Sequence, residues 1–199
     1  SIVEGDQNKI NSLTVTITDV AGNETTTSSE SLEKTGYLIP DALGRAAGDK
    51  FGASVDMSGD LMIVGASEQG TSERGAVYFY KKTDGVWAYT QKYEALDNFG
   101  ELGQSVAIDG NFAVAGAPGA EKVYVFEFDG SSWGAPEIVT HAVDPGNSKY
   151  GYSVAIDNVT LAVGAWGAGG RVYTYEYDGS TWTDEIVLQA ADQTDSDYY

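Results

Sequence analysis

Apolar and polar residues alternate along most of this chain in short runs. Leu13-Thr-Val-Thr-Ile-Thr18 puts an apolar side chain at every second position, the period of a half-buried strand. Asp19-Val-Ala-Gly-Asn23 reads as a turn, and the Thr/Ser-rich stretch from Glu24 to Leu32 is again strand-like. From Phe51 onward the same alternation recurs in segments of five to eight residues, punctuated by Gly, Asp and Asn. Leu, Glu and Lys nowhere line up at helical spacing over ten residues, so no helix is predicted. The expected fold class is all-β.

The segments repeat with a period near 50 residues. Phe51-Gly-Ala-Ser-Val opens one unit, Leu102-Gly-Gln-Ser-Val opens a second 51 residues later, and Tyr150-Gly-Tyr-Ser-Val opens a third 48 residues after that. Fourteen residues beyond each start stands a Gly-Ala pair: Gly65-Ala66, Gly116-Ala117 and Gly164-Ala165. Each unit continues with a Val-Tyr strand, an Asp-Gly turn and a Trp, at Trp87, Trp133 and Trp182. Four short strands per unit are predicted, for the first unit Phe51 to Met57, Leu61 to Val64, Val77 to Tyr80 and Tyr89 to Tyr93. The fourth strands of the later units are placed at Glu137 to Thr140 and Glu185 to Gln189. A four-stranded antiparallel unit of this length is a β-propeller blade, and a fixed period of 20–50 residues marks propellers, solenoids and arrays. The blades span about 51–101, 102–149 and 150–199, within a region 37–199.

Composition narrows the function classes. Gly is 25 of 199 residues and Tyr 13, a bias toward turns and pleated surfaces. Eleven Lys+Arg against 30 Asp+Glu give a net charge of −19, which repels phosphate backbones and anionic lipid, so no nucleic acid and no membrane insertion are expected. No apolar run approaches the ~18 residues of a membrane span. Zero Cys excludes disulfides and thiolate chemistry, and the single His141 excludes a histidine metal cluster. His141 is expected at the surface.

The pattern Phe51-Gly52 with Val64-Gly65-Ala66-Ser67, Leu102-Gly103 with Ala115-Gly116-Ala117-Pro118, and Tyr150-Gly151 with Val163-Gly164-Ala165-Trp166 resembles the FG-GAP repeat of integrin α-chain propellers and many bacterial surface proteins. The resemblance implies an extracellular adhesion or ligand-binding β-propeller module, secreted or held at the cell surface, non-catalytic, with a protein or carbohydrate ligand. Integrin-type repeats often carry calcium loops between strands one and two. The corresponding hairpins here, Asp56-Met-Ser-Gly-Asp60, Asp109-Gly-Asn111 and Asp157-Asn-Val-Thr160, are too short and too poor in carboxylates to supply the 6–8 oxygens calcium takes. Three units are also fewer than the four to eight blades of a closed propeller. The chain is then part of a longer protein, or several chains close the ring, or the sheets stack openly.

Residues 1–36 do not repeat, and their Val-Thr-Ile-Thr-Asp-Val-Ala-Gly-Asn-Glu-Thr segment resembles the closing hairpin of a bacterial immunoglobulin-like surface domain. An isolated hairpin is marginal in water and its edges call for pairing. Pairing with other copies of the chain, through this hairpin or an open blade edge, gives the alternative reading: a structural subunit that assembles into an oligomer or filament by strand sharing. A propeller-scaffold enzyme is a second alternative, opposed by the lone His and the absence of any nucleophile or acid/base motif.

Among candidate sites, Ser54, Ser105 and Ser153 recur in phase and read as structural. The three repeat-locked Trp residues are expected in equivalent, largely buried places; a carbohydrate-stacking platform is the competing role. The acidic inter-blade loops at Asp97-Asn98, Asp144 to Asn147 and Asp192 to Asp197 are the ligand candidates. Asp192, Asp195 and Asp197 are the metal candidates, with calcium the only cofactor considered, its shell completed by carbonyls and water.

Overall fold

The computed structural model describes residues 48–142, 148–167 and 169–189, and the backbone of two strands at 13–18 and 24–29. The chain divides into two compact units, Ser1–Pro40 and Asp41–Tyr199. Every helix or strand among the described residues is a strand. In the first unit β1 (Leu13–Thr18) and β2 (Glu24–Ser29) pair antiparallel, Leu13 opposite Ser29 and Thr18 opposite Glu24.

The second unit holds three four-stranded antiparallel sheets, each built from strands consecutive in the chain. Blade 1 consists of β3 (Phe51–Ser58), β4 (Leu61–Ala66), β5 (Ala76–Thr83) and β6 (Val86–Glu94). Blade 2 consists of β7 (Ser105–Asp109), β8 (Phe112–Ala117), β9 (Lys122–Glu127) and β10 (Glu137–Val139). Blade 3 consists of β11 (Ser153–Asp157), β12 (Thr160–Ala165), β13 (Arg171–Tyr177) and β14 (Trp182–Leu188). These are propeller-type blades, and they do not close a ring.

Strand ends follow turn chemistry. β6 starts at Val86, before Trp87, because Asp84 and Gly85 both take positive φ (52° and 81°) and close a two-residue hairpin with Thr83 opposite Val86. In the later blades the longer Asp-Gly-Ser-Ser/Thr loop is held by its aspartate. Asp129 Oδ1 accepts from the backbone N–H groups of Ser131 and Ser132, both at 2.8 Å, and Asp178 does the same for Ser180 and Thr181 at 2.8 and 3.0 Å.

Those bonds favour the ionised carboxylate, so the Asp129 carboxyl is held down to about 2 and that of Asp178 is also lowered. A depressed native pKa stabilises the fold above the unfolded value near 3.8 and loses that contribution as pH falls through about 2. The melting temperature should therefore fall between about pH 5 and pH 2, and the fall should be smaller in Asp129→Ala. Calorimetric scans at both pH values check this; an equal fall in the variant would remove the turn from the acid response.

Packing between blades shows in the burial pattern. All six residues of β8 are buried, since blade 2 has a sheet on either face. β12, at the same place in blade 3, alternates half-buried and buried, since only one of its faces is covered. One core cluster lies between blades 1 and 2, with Ile63, Val77 and Phe79 against Ala113, Ala115, Tyr124, Phe126 and Trp133. A second lies between blades 2 and 3, with Phe112, Val114, Val123 and Val125 against Leu161, Val163, Tyr173, Tyr175 and Trp182.

Candidate functional site

The contact between successive blades is built twice from the same parts. Gly103 and Gly151, just before β7 and β11, take φ of +88° and press their carbonyl groups onto the preceding blade. There the backbone is bare: an ideal Cβ on Gly65 would overlap the Gly103 carbonyl oxygen, and one on Gly116 the Gly151 oxygen. The residues beside these turns, Leu102 and Tyr150, are fully buried. Glycine is required on both sides, for positive φ on one and for close backbone approach on the other.

Side chains of each inner strand then serve the next. β7 lies at an edge of its sheet, and its outward N–H groups need acceptors. Val106 N donates to Ser54 Oγ at 2.8 Å, Ile108 N to Asp56 Oδ2 at 2.9 Å and Gly110 N to Ser58 Oγ at 3.1 Å. One blade on, Asn158 N donates to Asp109 Oδ2 at 2.7 Å, and Ser105 Oγ donates to the Gly151 carbonyl at 3.0 Å. At the outer rim the Gln91 side chain pairs with both backbone groups of Trp133, while Glu137 Oε1 accepts from Thr181 Oγ1 and Trp182 N.

Blade 3 presents the same surface with nothing described on it. An ideal Cβ on Gly164 would meet no atom nearer than Ser153 Cβ of its own sheet, at 3.3 Å. Val172 is 40% exposed, whereas the equivalent Val77 and Val123 are 0% exposed. Ile186 and Leu188 on β14 are also exposed. Between them lies an open groove of about 480 Å³, lined by Tyr152, Ser153, Gly164, Trp166, Val172 and Leu188 among others. Tyr152 and Trp166 form one wall, edge to face with ring centroids 5.8 Å apart. Arg171 also lines the groove, and its Nη1 is buried without a hydrogen-bond partner among the described residues. The arrangement suits an apolar surface that brings a carbonyl or carboxylate oxygen; it brings no nucleophile and base together.

Residues 42–80, which take in β3, β4 and most of β5, match the family model described as the FG-GAP repeat. This segment is an FG-GAP repeat. Its Gly65-Ala66 is the bare backbone that receives Gly103, and its Phe51-Gly52 holds the position equivalent to the projecting turns at Gly103 and Gly151. No curated protein matches the chain. Among the described residues no helix is long and apolar enough to cross a membrane, which says nothing of strands.

The three blades sort the residues singled out by sequence. Ser54 bonds the inner strand of the next blade and Ser105 the turn that leads into the one after it. Trp133 and Trp182 are buried, 4% and 7% exposed, each against an aromatic of the preceding blade: Trp133 stacks on Phe79 at 4.5 Å and Trp182 meets Phe112 edge-on at 5.5 Å. Trp87 departs from the expectation. It pairs with Lys82 in the register that pairs Trp133 with Phe128 and Trp182 with Tyr177, yet it is only half-buried. No described blade precedes blade 1 to cover it.

His141 also departs from expectation. It is half-buried, its ring 4.8 Å from that of Tyr150 and 5.4 Å from that of Tyr173. Nearby, Tyr150 donates to Tyr175 at 2.9 Å and Tyr175 to Glu185 at 3.0 Å; burial pushes both phenols well above their ordinary range.

The first acidic inter-blade loop acts as a clasp. Asp97 accepts from Lys122 Nζ at 2.9 Å and from Tyr124 OH at 3.0 Å, with the Lys122 bond lowering its pKa, and Asn98 accepts from Arg74 Nε at 3.0 Å. No cluster of three or more metal-ligating residues exists among the described residues. Asp144 to Asn147 and the metal candidates Asp192, Asp195 and Asp197 lie outside them.

Proposed function

We propose that the chain is a non-catalytic, extracellular binding module that engages a protein or carbohydrate partner through the exposed face of blade 3. The reading is carried by Val172. A position fully buried in two blades is 40% exposed in the third, at the mouth of an apolar groove. The FG-GAP repeat supports a β-propeller-type module of the adhesion and ligand-binding kind, found in extracellular and surface proteins. Large exposed apolar patches with a few polar groups mark interaction sites.

The test is immobilised chain against a panel of matrix proteins and glycans, with Val172→Asp and Trp166→Ala beside wild type. A captured ligand should be lost by about tenfold or more in both variants, as for residues central to an interface. Binding that ignores both substitutions, or no binding to any panel member, goes against the reading.

A further inference from the structure

We infer that the rim of the joint between blades 2 and 3 is a binding site for an alkylammonium group, a primary amine on an aliphatic stem such as that of a lysine. The site shares no lining residue with the groove on blade 3. A cavity of about 160 Å³ lies there, lined by Phe112, Glu127, Glu137, Tyr177, Ser180 and Trp182 among others. Strand register gathers the blade 2 side. Phe112 stands opposite Glu127, and Glu137 opposite Val125, two residues before Glu127, so pleat alternation brings these side chains to one face. Phe112 and Val125 pack on blade 3 from that face. Blade 3 adds aromatic rings: Tyr177 lies 5.0 Å from Phe112 and 5.3 Å from Trp182, centroid to centroid.

The joint between blades 1 and 2 shows what this arrangement holds. By the same register Leu61 stands opposite Lys81 and Phe79 opposite Gln91, so Lys81 and Gln91 occupy the places of Glu127 and Glu137. Gln91 Oε1 accepts from Trp133 N at 3.3 Å, as Glu137 Oε1 does from Trp182 N at 3.2 Å. Lys81 reaches across that joint. Its Nζ sits 5.1 Å from the centroid of the Phe128 ring and donates to the Gly130 carbonyl at 3.3 Å. Phe128 is the counterpart of Tyr177, since each pairs with the tryptophan of its blade, and Gly130 is the counterpart of Gly179, beside Ser180. The protein therefore already seats one ammonium on an aromatic ring at this level of the rim.

In the next joint both substitutions run in one direction. The cation of Lys81 gives way to the carboxylate of Glu127, and the neutral amide of Gln91 to the carboxylate of Glu137. Glu127 accepts from Asn111, and Glu137 from Thr181 and Trp182; neither forms an ion pair among the described residues. Partial burial, then the charges of Glu127, Glu137 and Asp178, raise the Tyr177 phenol above its ordinary range, so the negative field reaches the ring. An ammonium at this place meets two carboxylates and a π face together, and a cation within about 6 Å of a ring centroid is drawn to its face. Phe112 and Val125 offer apolar surface to the methylenes of the stem. No group of three or more metal-ligating side chains exists among the described residues, which favours an organic monocation over calcium with its 6–8 oxygens.

The first joint supplies the variants that test this. Glu127→Lys restores an internal ammonium, and Glu137→Gln removes a charge while keeping an acceptor for Trp182 N. Thermal melts check that each is folded, and either one alone suffices for the test. The full chain is titrated with n-butylamine at constant ionic strength, and the Trp182 indole signal is followed by NMR. Wild type should bind with a Kd on the order of 1–10 mM, in keeping with so small a ligand. Glu137→Gln should weaken binding by about three- to fivefold, the worth of one partly exposed ion pair, and Glu127→Lys should abolish it. n-Butanol, of the same shape without the charge, should leave the signal in place.

A wild-type signal that does not move by ~100 mM amine, about ten times the weakest expected Kd, overturns the proposal. So does an equal response to n-butanol, or a titration that both folded variants leave unchanged. A calcium titration that moves the signal at lower concentration than the amine overturns it in favour of a metal. A blocked Ala-Ala-Lys-Ala-Ala peptide separates the sources of the ammonium. Tighter binding than n-butylamine supports a lysine side chain of a partner protein, and weaker binding supports a free amine. Val172→Asp should leave the titration unchanged, so this site and the blade 3 groove stand or fall separately.

Discussion

Trp133→Ala should destabilise the chain by about 3–5 kcal/mol, the usual cost of emptying a buried indole site. At roughly 2–4 °C per kcal/mol for a chain of this size, the melting temperature should drop by about 6–20 °C. The indole sits between Phe79 of blade 1, at 4.5 Å, and Phe128 of its own blade, at 5.2 Å, so truncation opens a cavity where two sheets meet. Gln91 holds the backbone at that point and would limit collapse into the space. Trp87→Ala is the internal control. The same residue type at the same register position is only half-buried, and its loss should cost no more than about 1 kcal/mol. Thermal melts of the two variants side by side decide the matter. Equal losses would mean that the tryptophans act within their own hairpins and not between blades.

Gly116→Ala should be the other severe substitution, and Gly164→Ala a mild one. The added methyl at 116 meets the Gly151 carbonyl oxygen and, at 2.6 Å, Ser105 Oγ. Both belong to the joint between blades 2 and 3, and relief requires the sheets to part. Overpacking of this kind costs ~1–3 kcal/mol and more where the opposing atom is main chain, so a fall of at least about 4 °C is expected. At Gly164 the same methyl meets, among the described residues, only Ser153 of its own sheet, whose Cβ is nearest at 3.3 Å. Chemical denaturation of both variants provides the check. A harmless Gly116→Ala would show that the sheets stand further apart than the structure places them.

The blades were legible in the sequence because their grammar is local. Period-2 alternation, Asp-Gly turns and the constant spacing from Phe51 to Gly65, Leu102 to Gly116 and Tyr150 to Gly164 all lie on neighbouring stretches of chain. The rest depends on what stands next to a residue in space. Trp87 aligns with Trp133 in sequence, and alignment cannot tell that one has a sheet beside it and the other does not. Val172 and Val77 are likewise the same letter in the same register, opposite Gly164 and Gly65, one exposed and one buried.

The same holds for the charged and polar residues. The acidic loop at Asp97 reads as a ligand candidate in sequence, but its partners, Lys122 and Tyr124, lie some 25 residues on, on the strand it clasps. His141, polar and alone in its segment, reads as a surface residue; the tyrosines it packs against come from β13 and the turn before β11. A signal for the open face was present in one place. Thr174 in blade 3 stands where Phe79 and Val125 fill the core in the others, a loss of apolar character consistent with a surface that water reaches.

The paired glycines also bear on how such a protein can change over generations. Each unit carries a projecting turn at its start and a bare backbone fourteen residues later, and the two lie on opposite faces of the sheet. The glycine contact is therefore the same at both joints between blades. Tandem duplication adds a blade whose two contacts are complete from the outset, and loss of the middle unit would set Gly65 opposite Gly151 with the same geometry. Lineages can lengthen or shorten the array without inventing a new interface, and selection is left free to act on whatever the outermost faces meet.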